Sequence, residues 1–593
     1  MVSSGHHDTG HGLPRASPLW FGPETAPVFG WLHEPAGETC RGAVVICPAM
    51  GQERSFSHYF LRLVADRLAA SGFLAVRFDY PGTGDSGDVD PDDAVEAWLT
   101  SVELAVDLAR QHTSAPLTLV GLRLGALLAV EHAQHHDDVA GLVLLEPPRS
   151  SRALLRELRL RHNAALGDDA DEDGSVVAVG SAYSSETVKR LSALNLSRLR
   201  ELPCDGGLII AKPGRHAIDP AVTGRSGAAL TRLEQSELDE MLLVEPLPRE
   251  VDGLISDWMD HTFTDVHDLE RHQDRPEERE LRLVHSTEHA RRVGPHGLFA
   301  IVSEPHEPTT STTLFFTPDL RIPHGGLAGM WTELSRDLAA QGVRAVRFDV
   351  SGCGDSPPRP GAPGHRGGLL EHLDDVSDAI RATTTDPGDL VLVGLCSGAY
   401  LSLEAAMDVA PRGLVLVNAD VGFMAPEAPT SPRRKALQTT RPFLYRTFGP
   451  LVGRLGRRFA PQRKDAPFQF WDRWLEACVW QSTLRRRFGD LPEWLWRVFN
   501  VLLLSHRLDQ SLRAVTRRGT RVMVLAGDLE WRAATLGAQR SLDRISRGGR
   551  LEMLHLSTLD HSAFRRGQKA LVLSHIRRHV LRCVAADRAR DRV

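Results

Sequence analysis

Fifteen residues of this chain occur twice. The segment GFLAVRFDYPGTGDS (Gly72 to Ser86) returns 270 residues later as GVRAVRFDVSGCGDS (Gly342 to Ser356), identical at ten of fifteen positions. So long an offset points to a duplicated domain rather than to a short stacking repeat. At 593 residues the chain also exceeds what one hydrophobic core supports, so two domains satisfy both constraints.

The surroundings of the two copies agree. Each is preceded by an apolar, β-rich run (Gly42 to Cys47; Thr313 to Thr317) and a helical pattern (Phe60 to Ala70; Met330 to Gln341). A strand-turn-helix unit follows, LTLVGLRLGALLAVEHA in the first copy and LVLVGLCSGAYLSLEAA in the second, then a further strand (Gly141 to Leu145; Gly413 to Val417). Strands alternating with helices at this spacing predict an α/β fold with mostly parallel sheets covered on both faces. The expected organisation is a disordered N-terminus over 1–15, a first domain over 16–262, a polar linker over 263–280 and a second domain over 281–593.

In the second copy Gly394, Leu395, Cys396, Ser397 and Gly398 form a G-x-C-x-G pentad at the end of a predicted strand and the start of a predicted helix. Small residues on either side let a tight turn press close to its neighbours and lift the central side chain above the sheet. The helix N-terminus there favours an anion, which suits a thiolate and the oxyanion of a tetrahedral intermediate.

The predicted strand order, the GxGDS loop and this elbow resemble the α/β-hydrolase superfamily, with features of its serine-aminopeptidase-like and exosortase-associated branches. The resemblance covers nearly the whole chain, twice. A cysteine at the elbow is similar to dienelactone hydrolases and to bile-acid-conjugating acyltransferases, so it does not choose between hydrolysis and transfer. The resemblance implies a base from a late loop before the last helix, which LDHSAF (Leu559 to Phe564) supplies as His561. It implies an acid after the strand in RVMVLAGDLEW, where Asp528 and Glu530 both qualify and the usual spacing points to Glu530. For the oxyanion it implies the backbone N–H of Ser397 and a second donor near Asp319, since Pro318 has no N–H to give.

The first copy carries Arg123 where the second has Cys396, and arginine is no nucleophile. No acidic residue sits in the first turn after its late strand, GGLIIAKPGRH, and no His falls in MLLVEPLPREVDGL, so all three roles are missing. This domain is expected to be catalytically degenerate, with Arg123 free to hold a carboxylate or phosphate. The GxGDS residues Asp85, Ser86, Asp355 and Ser356 read as turn-fixing, because both copies keep them.

Roughly a hundred residues interrupt the second copy, and a helical lid is expected over about 421–518. Five of the eleven Trp fall there, and from Ser431 to Thr520 there are 19 Lys or Arg against six Asp or Glu. The basic face, with Arg485, Arg486 and Arg487, suits an acyl carrier protein or coenzyme A; an apolar face suits an acyl chain.

Net charge of -6 gives no reason to expect nucleic acid, and no window is apolar enough for a transmembrane segment. Seven Cys without a C-x-x-C pair suggest a reducing, cytoplasmic setting, and no metal or redox cofactor is implied. The expected function is acyl transfer from an ester or thioester, to water (hydrolase, thioesterase) or to another acceptor (acyltransferase). The competing expectation is a non-catalytic binding or scaffold protein.

Overall fold

In the computed structural model, which describes residues 14–167, 174–178, 180–235, 249–273, 275–319, 322–359, 369–419, 508–535 and 538–588, each repeat builds its own sheet. The first contains β1 (Arg15–Phe21), β2 (Val28–Glu34), β3 (Gly42–Cys47), β4 (Phe73–Phe78), β5 (Leu117–Leu122), β6 (Val139–Leu145), β7 (Gly206–Ala211) and β8 (Thr231–Glu234), in the order β1-β2-β4-β3-β5-β6-β7-β8. The second contains β9 (Glu280–Arg282), β10 (Ser286–Val293), β11 (Leu298–Pro305), β12 (Thr313–Phe316), β13 (Arg344–Phe348), β14 (Leu390–Leu395), β15 (Gly413–Val417), β16 (Arg521–Ala526) and β17 (Leu551–His555), in the order β9-β10-β11-β13-β12-β14-β15-β16-β17. Antiparallel pairing is confined to the leading edge of each sheet; from β4 and β13 onward every pair is parallel.

Parallel strands with helices on both faces have no solvated side, so their sequences run apolar without alternation. Every residue of β3, β5, β14 and β15 is buried accordingly. Two apolar clusters sandwich each sheet, and the crossovers bring the C-terminal ends of the central strands to one edge, where loops can gather. Among the described residues no helix is long and apolar enough to cross a membrane.

The domains meet along their antiparallel edges. Trp20, Phe29 and Trp31 pack with Leu281, Ala290, Phe299 and Ile301, and the rings of Phe29 and Phe299 are stacked 6.2 Å apart. Around this apolar patch the repeated motif is used reciprocally. Arg347 of the second domain donates to Asp85 of the first at 2.6 Å, and Arg77 of the first donates to Asp355 of the second at 2.5 Å. His324 adds a 2.6 Å bond to Asp85, and His58 a 3.0 Å bond to Asp355. Ser86 and Ser356 do fix their turns: each hydroxyl accepts from the backbone N–H of Phe29 or Phe299 at 2.8 Å and donates to the carbonyl of Asp79 or Asp349. The aspartates, read as turn residues, instead send their carboxylates across to the other domain.

Two boundaries differ from expectation. Arg15 belongs to β1 rather than to a disordered tail. The stretch 263–280 is tied down, since His267–Asp268 pairs with Thr39–Cys40 and the Glu270 carbonyl binds His112. Backbone pairing satisfied a polar segment that apolar periodicity could not reveal. The expected lid, with Arg485, Arg486 and Arg487, lies outside the described residues except for its last turns, the helix Leu508–Arg517.

Candidate active site

Cys396 stands between β14 and the helix Ser397–Val409 at φ 52°, ψ -116°. A positive φ at a residue with a Cβ is strained and persists only where the surroundings hold it. Here they do: a Cβ on Gly394 would lie 2.2 Å from the Gly398 carbonyl oxygen, and one on Gly398 would lie 2.6 Å from that of Thr317. Thr317, the residue after β12, donates its hydroxyl to the Gly398 carbonyl at 2.7 Å, bracing the neighbouring strand against the elbow.

The structure brings three of the sequence-predicted side chains together. The imidazole of His561 bonds Glu530 Oε1 through Nδ1 at 2.8 Å and lies beside the Cys396 side chain, close enough for each to shift the other's titration. Glu530 is buried, while the His561 side chain remains 45% exposed. Asp528, the alternative acid, faces away and binds His555 at 2.7 Å, beneath the stacked ring of Trp531. Two residues apart at the start of the helix Asp528–Thr535, the carboxylates point to different sides, and only Glu530 faces inward.

Electrostatics couple the pair. The neighbouring Cys396 first and the bond to Glu530 next outweigh burial and push His561 up to about 11. Burial, and after it the negative charge of Asp319, push the Cys396 thiol up, while His561 pulls it back down. The two groups are coupled: a thiolate at Cys396 favours the imidazolium, the imidazolium favours the thiolate, and Glu530 stabilises the charged ring.

Ser397 follows Cys396 and opens the helix, so its backbone N–H lies at the helix's N-terminal end. Asp319 was expected to offer a backbone donor to an oxyanion. Its carboxylate accepts the Ser397 hydroxyl, placing a negative charge beside the sulfur.

One residue escaped sequence reasoning. Asn418, at φ 44° just after β15, donates its amide to the carbonyls of Asp560 and His561, both at 2.9 Å, and accepts the N–H of Gly527 at 2.9 Å. It thus fastens the loop carrying His561 to the loop leading into Glu530. The first domain repeats the device with Glu146 at φ 41°, whose carboxylate accepts the N–H of Lys212 at 2.5 Å. A polar residue following GLVLV in one copy and GLVLL in the other was the available signal.

In the first domain Arg123 keeps the elbow conformation, φ 55° and ψ -114°, with Gly121 and Gly125 as close-packed as their counterparts. Its guanidinium is fully buried and engages carboxylates of its own domain: Nε donates to Glu53 at 3.1 Å and one terminal nitrogen to Glu157 at 2.9 Å. Arg161 binds the same two acids, and Arg215 reaches Glu146 at 3.3 Å. The carboxylate expected from a ligand is supplied from within the chain.

Residues 322–564 match the family described as Alpha/beta hydrolase family, and residues 38–161 match the family described as Serine aminopeptidase, S33. Among solved structures, a putative hydrolase from Agrobacterium vitis S4 is 19% identical, covering 42% of this chain and 98% of its own, at a TM-score of 0.27. The alpha/beta hydrolase GrgF from Penicillium sp. sh18 is 16% identical over 42% of this chain and 100% of its own, at 0.31. The thioesterase domain from the curacin biosynthetic pathway is 18% identical over 49% of this chain and 99% of its own, at 0.28. No curated protein matches. The chain is a tandem pair of domains of the α/β-hydrolase superfamily.

Proposed function

We propose that the second domain is an acyl hydrolase or acyltransferase acting on esters or thioesters through Cys396, His561 and Glu530, and that the first domain is catalytically inert. The observation that carries this reading is the placement of His561 between Cys396 and Glu530, bonded to the acid at 2.8 Å, beside an elbow held in the strained conformation a nucleophile requires.

The steps follow from the positions. With Nδ1 engaged by Glu530, the other ring nitrogen takes the proton of the Cys396 thiol as sulfur attacks the substrate carbonyl. The carbonyl π electrons move to oxygen, and the N–H of Ser397 stabilises the oxyanion at the dipole end of the helix. Collapse of the tetrahedral intermediate breaks the bond to the leaving alkoxide or thiolate, which takes the proton from His561. Water or another acceptor then gives its proton to His561 and adds to the thioester carbonyl; collapse breaks the carbon–sulfur bond, and the departing Cys396 thiolate takes the proton back from His561. The acyl carrier protein and coenzyme A readings of the donor rest on the basic stretch 431–520.

A second reading, in which both domains only bind, draws on one observation: Asp319 places a negative charge beside the thiol and opposes its ionisation. Steady-state turnover of p-nitrophenyl esters and acyl thioesters separates the two. Catalysis requires activity in the wild type that falls to background in Cys396→Ala and His561→Ala. Equal rates in all three proteins would remove the catalytic reading.

A further inference from the structure

The loop that carries His561 is held from two sides. Within its own domain, Asn418 binds its backbone, and the carboxylate of Asp560 collects the N–H groups of Ser562, Phe564 and Arg565. The other side belongs to the first domain. Arg565 donates to the carbonyl of Leu166, the last residue of the helix Ser151–Leu166. Arg566 donates to the hydroxyl of Ser175 at 2.9 Å. Gly180, in the turn of the hairpin Val176–Tyr183, lies so close to the Phe564 ring that an added Cβ would be 2.4 Å from it. Phe56 and Leu166 pack, together with Cys396, against the second-domain cluster that includes Leu559, Ala563 and Phe564.

Further back along its length the same helix is anchored on the degenerate elbow. Glu157 and Arg161 are its polar contacts there: Arg123 donates to Glu157, and Arg161 joins Glu157 to Glu53. A continuous set of contacts therefore runs from the position where the first domain would hold a nucleophile to the loop bearing the base of the second.

We infer that the first domain is a positioning element for His561. Arg123, in the place of a nucleophile, fixes the helix Ser151–Leu166, whose C-terminal end and following hairpin brace the loop Leu559–Arg566 against Cys396. The degenerate domain contributes no reacting group; it sets the distance over which the proton moves. This inference rests on the proposed role of His561 as the base.

The test uses the full chain and the variants Arg565→Ala, Gly180→Ala, Arg123→Ala and Arg123→Lys, compared with His561→Ala and with the double variant Arg565→Ala/His561→Ala. Thermal unfolding confirms that each is folded, and the first two keep the relay at the test even where Arg123→Ala fails to fold. The expected result is a kcat lowered about 10- to 100-fold in Arg565→Ala and Gly180→Ala with KM within about twofold, since a displacement near 1 Å at the reacting groups costs that much. Amide exchange over residues 559–566 rises in both, Arg123→Lys recovers part of what Arg123→Ala loses, and the double variant is no slower than His561→Ala alone. Normal kcat and unchanged loop exchange in folded Arg565→Ala and Gly180→Ala, with His561→Ala inactive, overturn the inference alone. A fully active His561→Ala fails the catalytic reading, and this inference with it.

Discussion

Asp85 of the first domain accepts a hydrogen bond from Arg347 of the second at 2.6 Å, and 270 residues on, Asp355 of the second accepts one from Arg77 of the first at 2.5 Å. The duplicated motif is therefore its own partner, and the interface has the reciprocity of a two-fold dimer within one chain. All four side chains are buried, and a buried pair that loses one member leaves an uncompensated charge. Asp85→Ala takes from Arg347 and from His324 one of the two carboxylates each engages, leaving Glu288 to the first and Asp349 to the second. It is expected to destabilise the protein by about 3–5 kcal/mol, measured by chemical denaturation.

The same pairs set an acid limit. Burial alone would raise Asp85, but the charges of His324 and Arg347 outweigh it and hold the carboxyl far below its usual range; Arg77 and His58 do the same for Asp355. Groups with depressed folded-state values contribute stability above their unfolded value, about 4, and lose it as pH falls further. The thermal midpoint should fall steeply below about pH 4, and Asp85→Asn should flatten that limb. A wild-type midpoint constant down to pH 3 would contradict the assignment.

Glu530 and Asp528 are separable by substitution. Glu530→Gln removes a partner that raises His561 and fixes its ring, so kcat should drop about 10²- to 10⁴-fold. Asp528→Asn touches only His555 and should stay near the wild-type rate. Comparison of kcat for the two variants under one assay checks this.

Asp319→Asn removes a negative charge that raises the Cys396 thiol, next in weight after burial itself. The thiolate then becomes easier to form, so the pH at which iodoacetamide alkylation of Cys396 reaches half its plateau should move down. An upward shift would show that Asp319 acts mainly through the Ser397 hydroxyl.

Asn418→Ala deletes the two amide bonds to the Asp560 and His561 carbonyls and the acceptor for Gly527. Buried backbone groups left unpaired cost about 1–3 kcal/mol each, so both stability and kcat should fall. Denaturation and turnover measured on the same preparation check that the losses go together.

The sheets were readable because strands covered on both faces announce themselves as apolar runs; Gly413 to Val417 is a strand with the bounds its sequence indicates. The elbow was readable because glycines must flank it. The choice between Asp528 and Glu530 was not, since the two lie two residues apart and only the packing of their helix decides which faces His561. Local reading also missed the destination of Asp85 and Asp355. Their partners lie 262 and 278 residues away, and a motif that closes a turn in each copy gives no sign of bonds made between copies. Asn418 belongs to no motif at all, and its role exists only once β15, β16 and the His561 loop are side by side.

The most direct test of the central claim is intact-mass spectrometry of the full chain after brief incubation with acyl thioesters and p-nitrophenyl esters of varied chain length. The account predicts a mass increase equal to one acyl group on the wild type, mapped to Cys396, absent from Cys396→Ala and slowed in His561→Ala. Acylation that persists in Cys396→Ala, or a wild type that never acylates although iodoacetamide modifies Cys396, would contradict it.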